Sequence, residues 1–261
     1  MKVISATMIV GIIMSRRRKM QFIDMHCHIL PGIDDGSVNI DQTLKMMQVA
    51  YDDGTRGMIA TPHYHIGRMV SDRKECESRL EAVKKKAKES GIHMDLYLGT
   101  EVYYFSEAFD KIVDGEIMSL AGSSYVLIEF EPRVEYERIL RAAANAASEG
   151  YVPIFAHVER YMCLLEKPAL CKELIEHGAL LQINAASVVG KHGKDVQKFD
   201  KKILKKKWVS FVASDAHGDK HRRPRLMEAY EYVKKKVGED YADDIFYNNQ
   251  IKIIEDERIY V

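Results

Sequence analysis

The sequence predicts an α/β fold, with seven parallel strands and their covering helices in one domain. Three observations lead there. Short apolar runs of four to six residues alternate with longer amphipathic, charged stretches. No linker or low-complexity tract interrupts the alternation. The length, 261 residues, is common for a single α/β barrel. A six- or seven-stranded distorted barrel and an open doubly wound sheet both satisfy this pattern. The absence of a Walker loop or a Gly-x-Gly-x-x-Gly turn counts against nucleotide-binding versions.

In chain order, the strands are expected at Phe22–His26, Gly57–Thr61, Met94–Gly99, Tyr125–Phe130, Val152–Ala156, Ala179–Ile183 and Val209–Ala213. Ile, Val, Phe and Tyr are prominent in these runs, as buried parallel strands require. Helices are expected between them, at Gln42–Asp52, Asp72–Glu89, Glu135–Ser148, Ala169–His177 and Lys194–Lys207, with Arg225–Val237 after the last strand. In Asp72–Glu89 the buried stripe is supplied by Leu80, Val83 and Ala87, while Lys84, Lys85, Lys86 and Lys88 face water. The Lys201–Lys207 run reads as a solvated face. Ile251–Val261 is taken as an added edge segment.

Residues 1–19 stand apart from residues 20–261, the expected catalytic domain. Val3–Met14 is apolar but only twelve residues long, well short of the roughly 20 that span a bilayer. Its basic cluster, Arg16–Lys19, follows the apolar run, the wrong order for a secretory signal. This extension reads either as a misassigned start ahead of Met20 or as a short interfacial anchor; no transmembrane segment is expected.

Charge excludes some partners. With 39 basic and 39 acidic residues, nothing global attracts nucleic acid. Cys27, Cys76, Cys163 and Cys171 form no Cys-x-x-Cys pair and suit a reducing, cytoplasmic setting. None is followed by arginine six positions on, so the loop of thiol-dependent tyrosine phosphatases is absent.

The chemistry gathers at the carboxyl ends of the strands, where α/β folds place their sites. Asp24-Met25-His26-Cys27-His28 carries two imidazoles at period two, on one face of an extended strand. The turn that follows holds Asp34 and Asp35. Thr61-Pro62-His63-Tyr64-His65 closes the second strand, Thr100-Glu101 the third, and Glu129-Phe130-Glu131 the fourth. His157 and Arg160 follow the fifth. Ser214-Asp215-Ala216-His217 ends the last, with Arg222 and Arg223 just beyond. Six of the seven strands end in His, Asp or Glu, whereas His93, His177, His192 and His221 fall elsewhere. So many donors facing one opening exceed what one metal needs, and imidazole mixed with carboxylate suits divalent transition ions. Glu101 is the natural bridging carboxylate.

These residues are recognisable as a set. Ile23–Ser37, with Thr-Pro-His-Tyr, Gly-Thr-Glu-Val, Ile-Glu-Phe-Glu-Pro, Ala-His-Val-Glu-Arg-Tyr and Ser-Asp-Ala-His in matching order, resembles the polymerase-and-histidinol-phosphatase (PHP) superfamily. Within it, the chain is similar to the bacterial manganese-dependent protein-tyrosine phosphatases of capsule and exopolysaccharide synthesis, from Met20 to about Asn249. The resemblance implies a distorted (β/α)7 barrel with two or three divalent ions. His26, His28, Glu101 and Asp215 would hold one metal, Asp35, His63 and His217 a second, and Glu101, Glu129 and His157 a third. Asp34 competes with Asp35 for its place, and Glu131 with Glu129. Arg160 and Arg222 match phosphate-binding arginines. The ions would activate water to attack phosphorus in line. Manganese is the metal the resemblance implies; iron, cobalt and zinc also suit these donors.

The implied substrate is phosphotyrosine on a membrane-associated bacterial tyrosine autokinase. Tyr64, Tyr103, Tyr104 and Tyr161 are candidates to wall a pocket for its ring, and His65 is a weak candidate for a general acid. The rival readings are a PHP phosphoesterase acting on a small metabolite such as histidinol phosphate, and a non-catalytic metal-binding regulatory module.

Overall fold

The computed structural model describes residues 21–260. The N-terminal extension lies outside them. A parallel strand follows each predicted apolar run: β1 (Phe22–Cys27), β2 (Thr55–Ala60), β5 (Asp95–Leu98), β7 (Tyr125–Glu129), β8 (Val152–Phe155), β9 (Leu180–Asn184) and β10 (Phe211–Ala213). Three short strands were not expected from the sequence: β3 (His63–His65), β4 (Met69–Val70) and β6 (Glu101–Tyr103).

Two sheets run in the orders β1-β2-β5 and β10-β9-β8-β7-β6-β3-β4. Backbone hydrogen bonds join them into a ring. Thr61-Pro62 interrupts β2 before β3, and Gly99-Thr100 interrupts β5 before β6. The Gly99 amide donates to the Ala60 carbonyl and the Glu101 amide to the Pro62 carbonyl across these breaks. At the seam, the Asp215 and His28 amides donate to the carbonyls of His26 and Ala216. This is the distorted seven-stranded barrel rather than the open sheet, and its two broken strands explain why β3 and β6 are too short to read as separate periods.

Helices α1 (Ile40–Asp52), α2 (Arg73–Glu89), α3 (Ala108–Val113), α4 (Tyr136–Ser148), α5 (Met162–Glu166), α6 (Leu170–Glu176), α7 (Ala185–Val188), α8 (Lys194–Lys205) and α9 (Met227–Lys236) lie between and after the strands. Helix α2 buries Leu80, Val83 and Ala87, with Cys76. Its first turn is capped by Asp72, whose carboxylate accepts from the Glu75 amide. In α1, Asn39 does the same for the Gln42 amide.

The tail departs from expectation. Residues 251–254 belong to a helical stretch, α10 (Glu239–Asp243), a π-turn and α11 (Asn249–Ile254), not to an edge strand. The reason is packing: Ile253 and Ile259 enter the apolar cluster of the barrel interior with Met25, Tyr125 and Phe211. The Tyr125 hydroxyl donates to the Glu257 carbonyl at 2.6 Å and accepts from the Ile259 amide at 3.0 Å. An apolar Ile-x-Ile-Ile pattern cannot by itself distinguish this plug from a strand.

The barrel interior explains how the site is aimed. Residues two apart share a face of a strand. Tyr125, Leu127 and Glu129 do so in β7, Leu180, Gln182 and Asn184 in β9, and Phe211 and Ala213 in β10, with Asp215 two residues beyond its end. In each series the first residues fill the apolar interior, and the last is a polar group at the carboxyl end.

Candidate metal centre

Three groups of donor atoms converge at that end. His26, His28, Glu101 and Asp215 form one, His28, Asp35, His63 and His217 a second, and His63, Glu101 and Glu129 a third. The first is the set expected from the sequence. The second adds His28 to the expected three. In the third, His63 stands where His157 was expected, although the His157 Nε2 lies 2.8 Å from Glu101 Oε1 and 3.5 Å from Glu129 Oε2. All nine expected residues therefore meet in one cluster.

Glu101 is its hub. Its Oε2 lies 3.1 Å from His26 Nε2, 3.2 Å from His28 Nε2 and 3.1 Å from His63 Nδ1. Yet Glu101 Oε2, His63 Nδ1 and His217 Nε2 are buried without a hydrogen-bond partner among the described residues. Lone pairs approaching to just over 3 Å without hydrogen-bond geometry are spaced as ligands around a shared ion, whose bonds to N and O run about 2.0–2.2 Å. Buried, unpartnered polar atoms are costly, and divalent ions would satisfy them. The donor set thus fits a multinuclear centre.

Electrostatics point the same way. Burial alone would raise the Glu101 carboxyl, but His26 and His63 more than offset it and hold it well below its ordinary value. Burial opposes charge on His28 too, yet Asp34 and Glu101 push it up to about 9. His63 rises to about 11, against its own burial, through Glu101, Asp35 and Glu129. The cluster is an electron-rich cavity that demands cations.

The two aspartates of the turn divide their work. Asp34 Oδ2 lies 2.7 Å from His28 Nδ1 and accepts from the His63 amide at 3.1 Å. Orienting the ring nitrogen away from the centre is what an outer carboxylate does for a metal-binding histidine. Asp35, half exposed, instead lies 3.4 Å from His63 Nε2 and 3.3 Å from His217 Nε2. Gly36 makes this possible: a Cβ there would collide with the backbone and Cβ of His28. Glu131 turns outward to Arg138 and to the Tyr103 hydroxyl.

Arg160 and Arg222 both reach Asp215, at 2.6 Å to Oδ2 and 2.7 Å to Oδ1. Both side chains are partly exposed. His157, Asp215 and Arg222 adopt left-handed backbone, φ 34°, 51° and 46°, a strain that non-glycine residues carry mainly at functional sites.

Sequence reasoning missed the supporting shell. Gln182 Oε1 accepts from the His157 amide at 2.9 Å and lies 3.1 Å from His26 Nδ1; Asn184 donates to Asp215 at 2.8 Å. Both are buried polar residues at period two in an otherwise apolar run, the one signal that could have found them. Asp24 accepts from the amide and hydroxyl of Ser214, tying β1 to the turn after β10. Glu159 accepts from the Asn184 amide and the Ser187 hydroxyl, which fixes the turn carrying His157 and Arg160.

Of the four tyrosines, Tyr64, Tyr104 and Tyr161 are buried core residues. Tyr103 alone stands half exposed, its ring stacked on His65 at 3.9 Å with planes 3° apart. Cys27 is wholly buried, its thiol pushed up by that burial and donating to the Ile59 carbonyl, so it is no nucleophile.

One buried acid stands behind the site. Asp200 of α8 has no hydrogen-bond partner for either oxygen among the described residues; burial, then the charge of Glu159, raise its carboxyl from 3.8 to about 9. The folded state keeps a proton that the unfolded chain loses, so stability falls as pH rises from about 4 to about 9. Asp200→Asn is expected to stabilise the protein by on the order of 1–3 kcal/mol at pH 8, with no gain below pH 4, in urea melts at the two pH values.

Fold and cluster together define a metal-dependent phosphoesterase of the PHP type. The profile of the capsular polysaccharide synthesis CpsB/CapC family matches residues 22–255, and the chain belongs to that family. The tyrosine-protein phosphatase CpsB of Streptococcus pneumoniae is 32% identical over 242 residues, covering 91% of this chain and 100% of its own. The tyrosine-protein phosphatase YwqE of Bacillus subtilis is 31% identical, covering 84% and 86%. A crystal structure of YwqE and CpsB, described as unique metal-dependent tyrosine phosphatases, superposes with a TM-score of 0.86 at 29% identity, covering 91% of this chain and 96% of the other. A histidinol phosphate phosphatase from Lactococcus lactis, at 16% identity and a TM-score of 0.55, shares the fold.

Proposed function

We infer that this chain is a metal-dependent protein-tyrosine phosphatase whose centre is held by His26, His28, Asp35, His63, Glu101, Glu129, His157, Asp215 and His217. The observation that carries the reading is the convergence of unpartnered donors on Glu101 beside two arginines. Bound divalent ions, manganese in this proposal, would supply Lewis acidity and lower the pKa of water.

The chain's own groups do the rest. Arg160 and Arg222 are two cations set beside the centre by their ion pairs with Asp215. Each has donors beyond the one committed to Asp215, and a guanidinium fork matches two phosphoryl oxygens. Both are held by one buried carboxylate, so they are positioned before substrate arrives. Asp34 and Gln182 keep the rings of His28 and His26 fixed. The leaving phenolate, with an ordinary pKa of about 10, needs less help from an acid than an alkoxide does. His65 fits no such role: burial, then the charge of Arg68, lower its pKa and favour the neutral ring.

The His65–Tyr103 stack is placed to receive the aryl group. On β3 and β6, His63 pairs with Glu101, and the stack lies two residues further out on the same face. A flat aromatic wall one step above the phosphoryl site suits a tyrosyl ring better than an imidazole-bearing alkyl chain. Phosphotyrosine peptide and histidinol phosphate, assayed in parallel, are expected to differ in kcat/KM by at least about tenfold in favour of the peptide. Tyr103→Ala is expected to raise KM for the peptide by roughly five- to tenfold with kcat little changed. Equal turnover of both substrates, unaffected by Tyr103→Ala, would point to a small-metabolite phosphoesterase.

Membership of a capsular polysaccharide synthesis family favours a tyrosine autokinase of that system as substrate, acting in the cytoplasm. No helix among the described residues is long and apolar enough to cross a membrane.

A further inference from the structure

The formal charge of the chain is zero, but its lysines are not evenly spread. Helices α8 and α9 bring the stretches 198–207 and 234–236 together around a groove of about 430 Å³. The groove is lined by Leu204, Tyr232 and Val237, with Lys201, Lys205 and Lys236 at its rim. Lys202, Lys205, Lys206, Lys207, Lys235 and Lys236 are all exposed, and none forms an ion pair among the described residues. Lys234 pairs with Glu239. Asp200, the one carboxylate within 198–207, is buried and does not offset them.

Position adds a second observation. Lys206 and Lys207 lead directly into β10, so they lie at the amino ends of the strands, opposite the metal centre. The described chain also enters there. The Phe22 ring packs 5.3 Å from Tyr230 of α9, and the Lys234 ammonium sits 5.8 Å from that same tyrosine ring. The residues that precede this point in sequence are apolar Val3–Met14 and basic Arg16–Lys19. In sequence, the described chain is thus preceded by a second run of basic residues next to apolar ones.

We propose that this lysine-rich end, formed by α8 and α9, is a docking surface for an anionic lipid bilayer. Lysine suits such a surface because its stem covers apolar area while the ammonium group reaches outward. Tyr232 supplies an amphipathic ring of the kind that settles at headgroup level. Each lysine near an anionic leaflet adds attraction that falls off within a Debye length. Docking in this way leaves the metal centre facing away from the bilayer, open to a protein substrate. An acidic protein segment would use the lysines but has no need of the apolar groove formed by Leu204, Tyr232 and Val237.

The proposal is tested by co-sedimentation of the full chain with phosphatidylglycerol vesicles, with phosphatidylcholine vesicles as the neutral control. Binding is expected to the anionic vesicles alone at about 0.1 M salt and to be lost at about 0.5 M. The quadruple variant Lys202→Glu, Lys205→Glu, Lys206→Glu, Lys236→Glu is expected to bind at least about a hundredfold more weakly. It should hydrolyse a soluble phosphotyrosine peptide as the parent does, which verifies its fold. Absence of binding to anionic vesicles, or binding that survives the quadruple reversal, overturns the proposal. So does capture of soluble polyglutamate by the parent with no binding to vesicles, since the patch would then be a protein-docking surface.

Discussion

Glu101→Gln is expected to lower kcat/KM for a phosphotyrosine peptide by on the order of 10³-fold or more, and to reduce the metal content of the purified protein. Outer-shell partners of metal sites already cost about 10–100-fold when lost, and Glu101 stands at the centre. Its two oxygens lie within about 3.2 Å of four imidazoles, those of His26, His28, His63 and His157. The substitution keeps the size of the side chain and removes only its charge, so the cavity keeps its shape but loses the carboxylate that bridges its parts. His26→Ala and Asp215→Asn are expected to act alike, each removing one donor of the first group. Metal analysis beside kinetics is the check; full activity in Glu101→Gln would deny it the bridging role.

Arg160→Ala is expected to act differently. Activity should fall by about 10²- to 10³-fold, the usual loss when one preorganised donor to a developing charge is removed. Metal content should remain. Among the described residues Arg160 forms an ion pair with Asp215 alone, and Arg222 and Asn184 continue to hold that carboxylate. Arg160→Lys should recover little, because an ammonium cannot present two parallel donors. A variant with wild-type kinetics would remove the phosphate clamp from the account.

The contrast between these two substitutions bears on what was legible in the sequence. Ligand-type residues were readable because they combine two signals, a period of two and a position at the end of an apolar run. His26-x-His28 and Asp215-x-His217 carry both. The seven strands were readable as apolar runs, but their closure into a ring was implied only by the family resemblance, because an open doubly wound sheet satisfied the same pattern. The roles of Asp34 and Asp35 were not, because adjacent carboxylates in a turn differ only in where the backbone aims them. Gln182 and Asn184 share the period of two at the end of an apolar run, but amides, like the lone acid Glu159, have many ordinary explanations in a buried stretch. Their meaning comes from partners 25 or more residues away. The broken strands β3 and β6 are invisible for a related reason: their pairing is set by the barrel and not by local propensity. The tail differs from its expected edge segment because Ile251, Ile253 and Ile254 satisfy a strand pattern and a short helix equally.

The central claim is that the cluster around Glu101 holds divalent ions that act on phosphotyrosine. The most direct measurement is phosphate release from a phosphotyrosine peptide by protein stripped of metal, before and after manganese is restored. The expected result is negligible release from the stripped protein and recovery on addition of manganese. No release with manganese, iron, cobalt or zinc, despite confirmed uptake of the ions, would contradict it and leave the centre as a site for another phosphate ester or as a metal-binding module without catalysis.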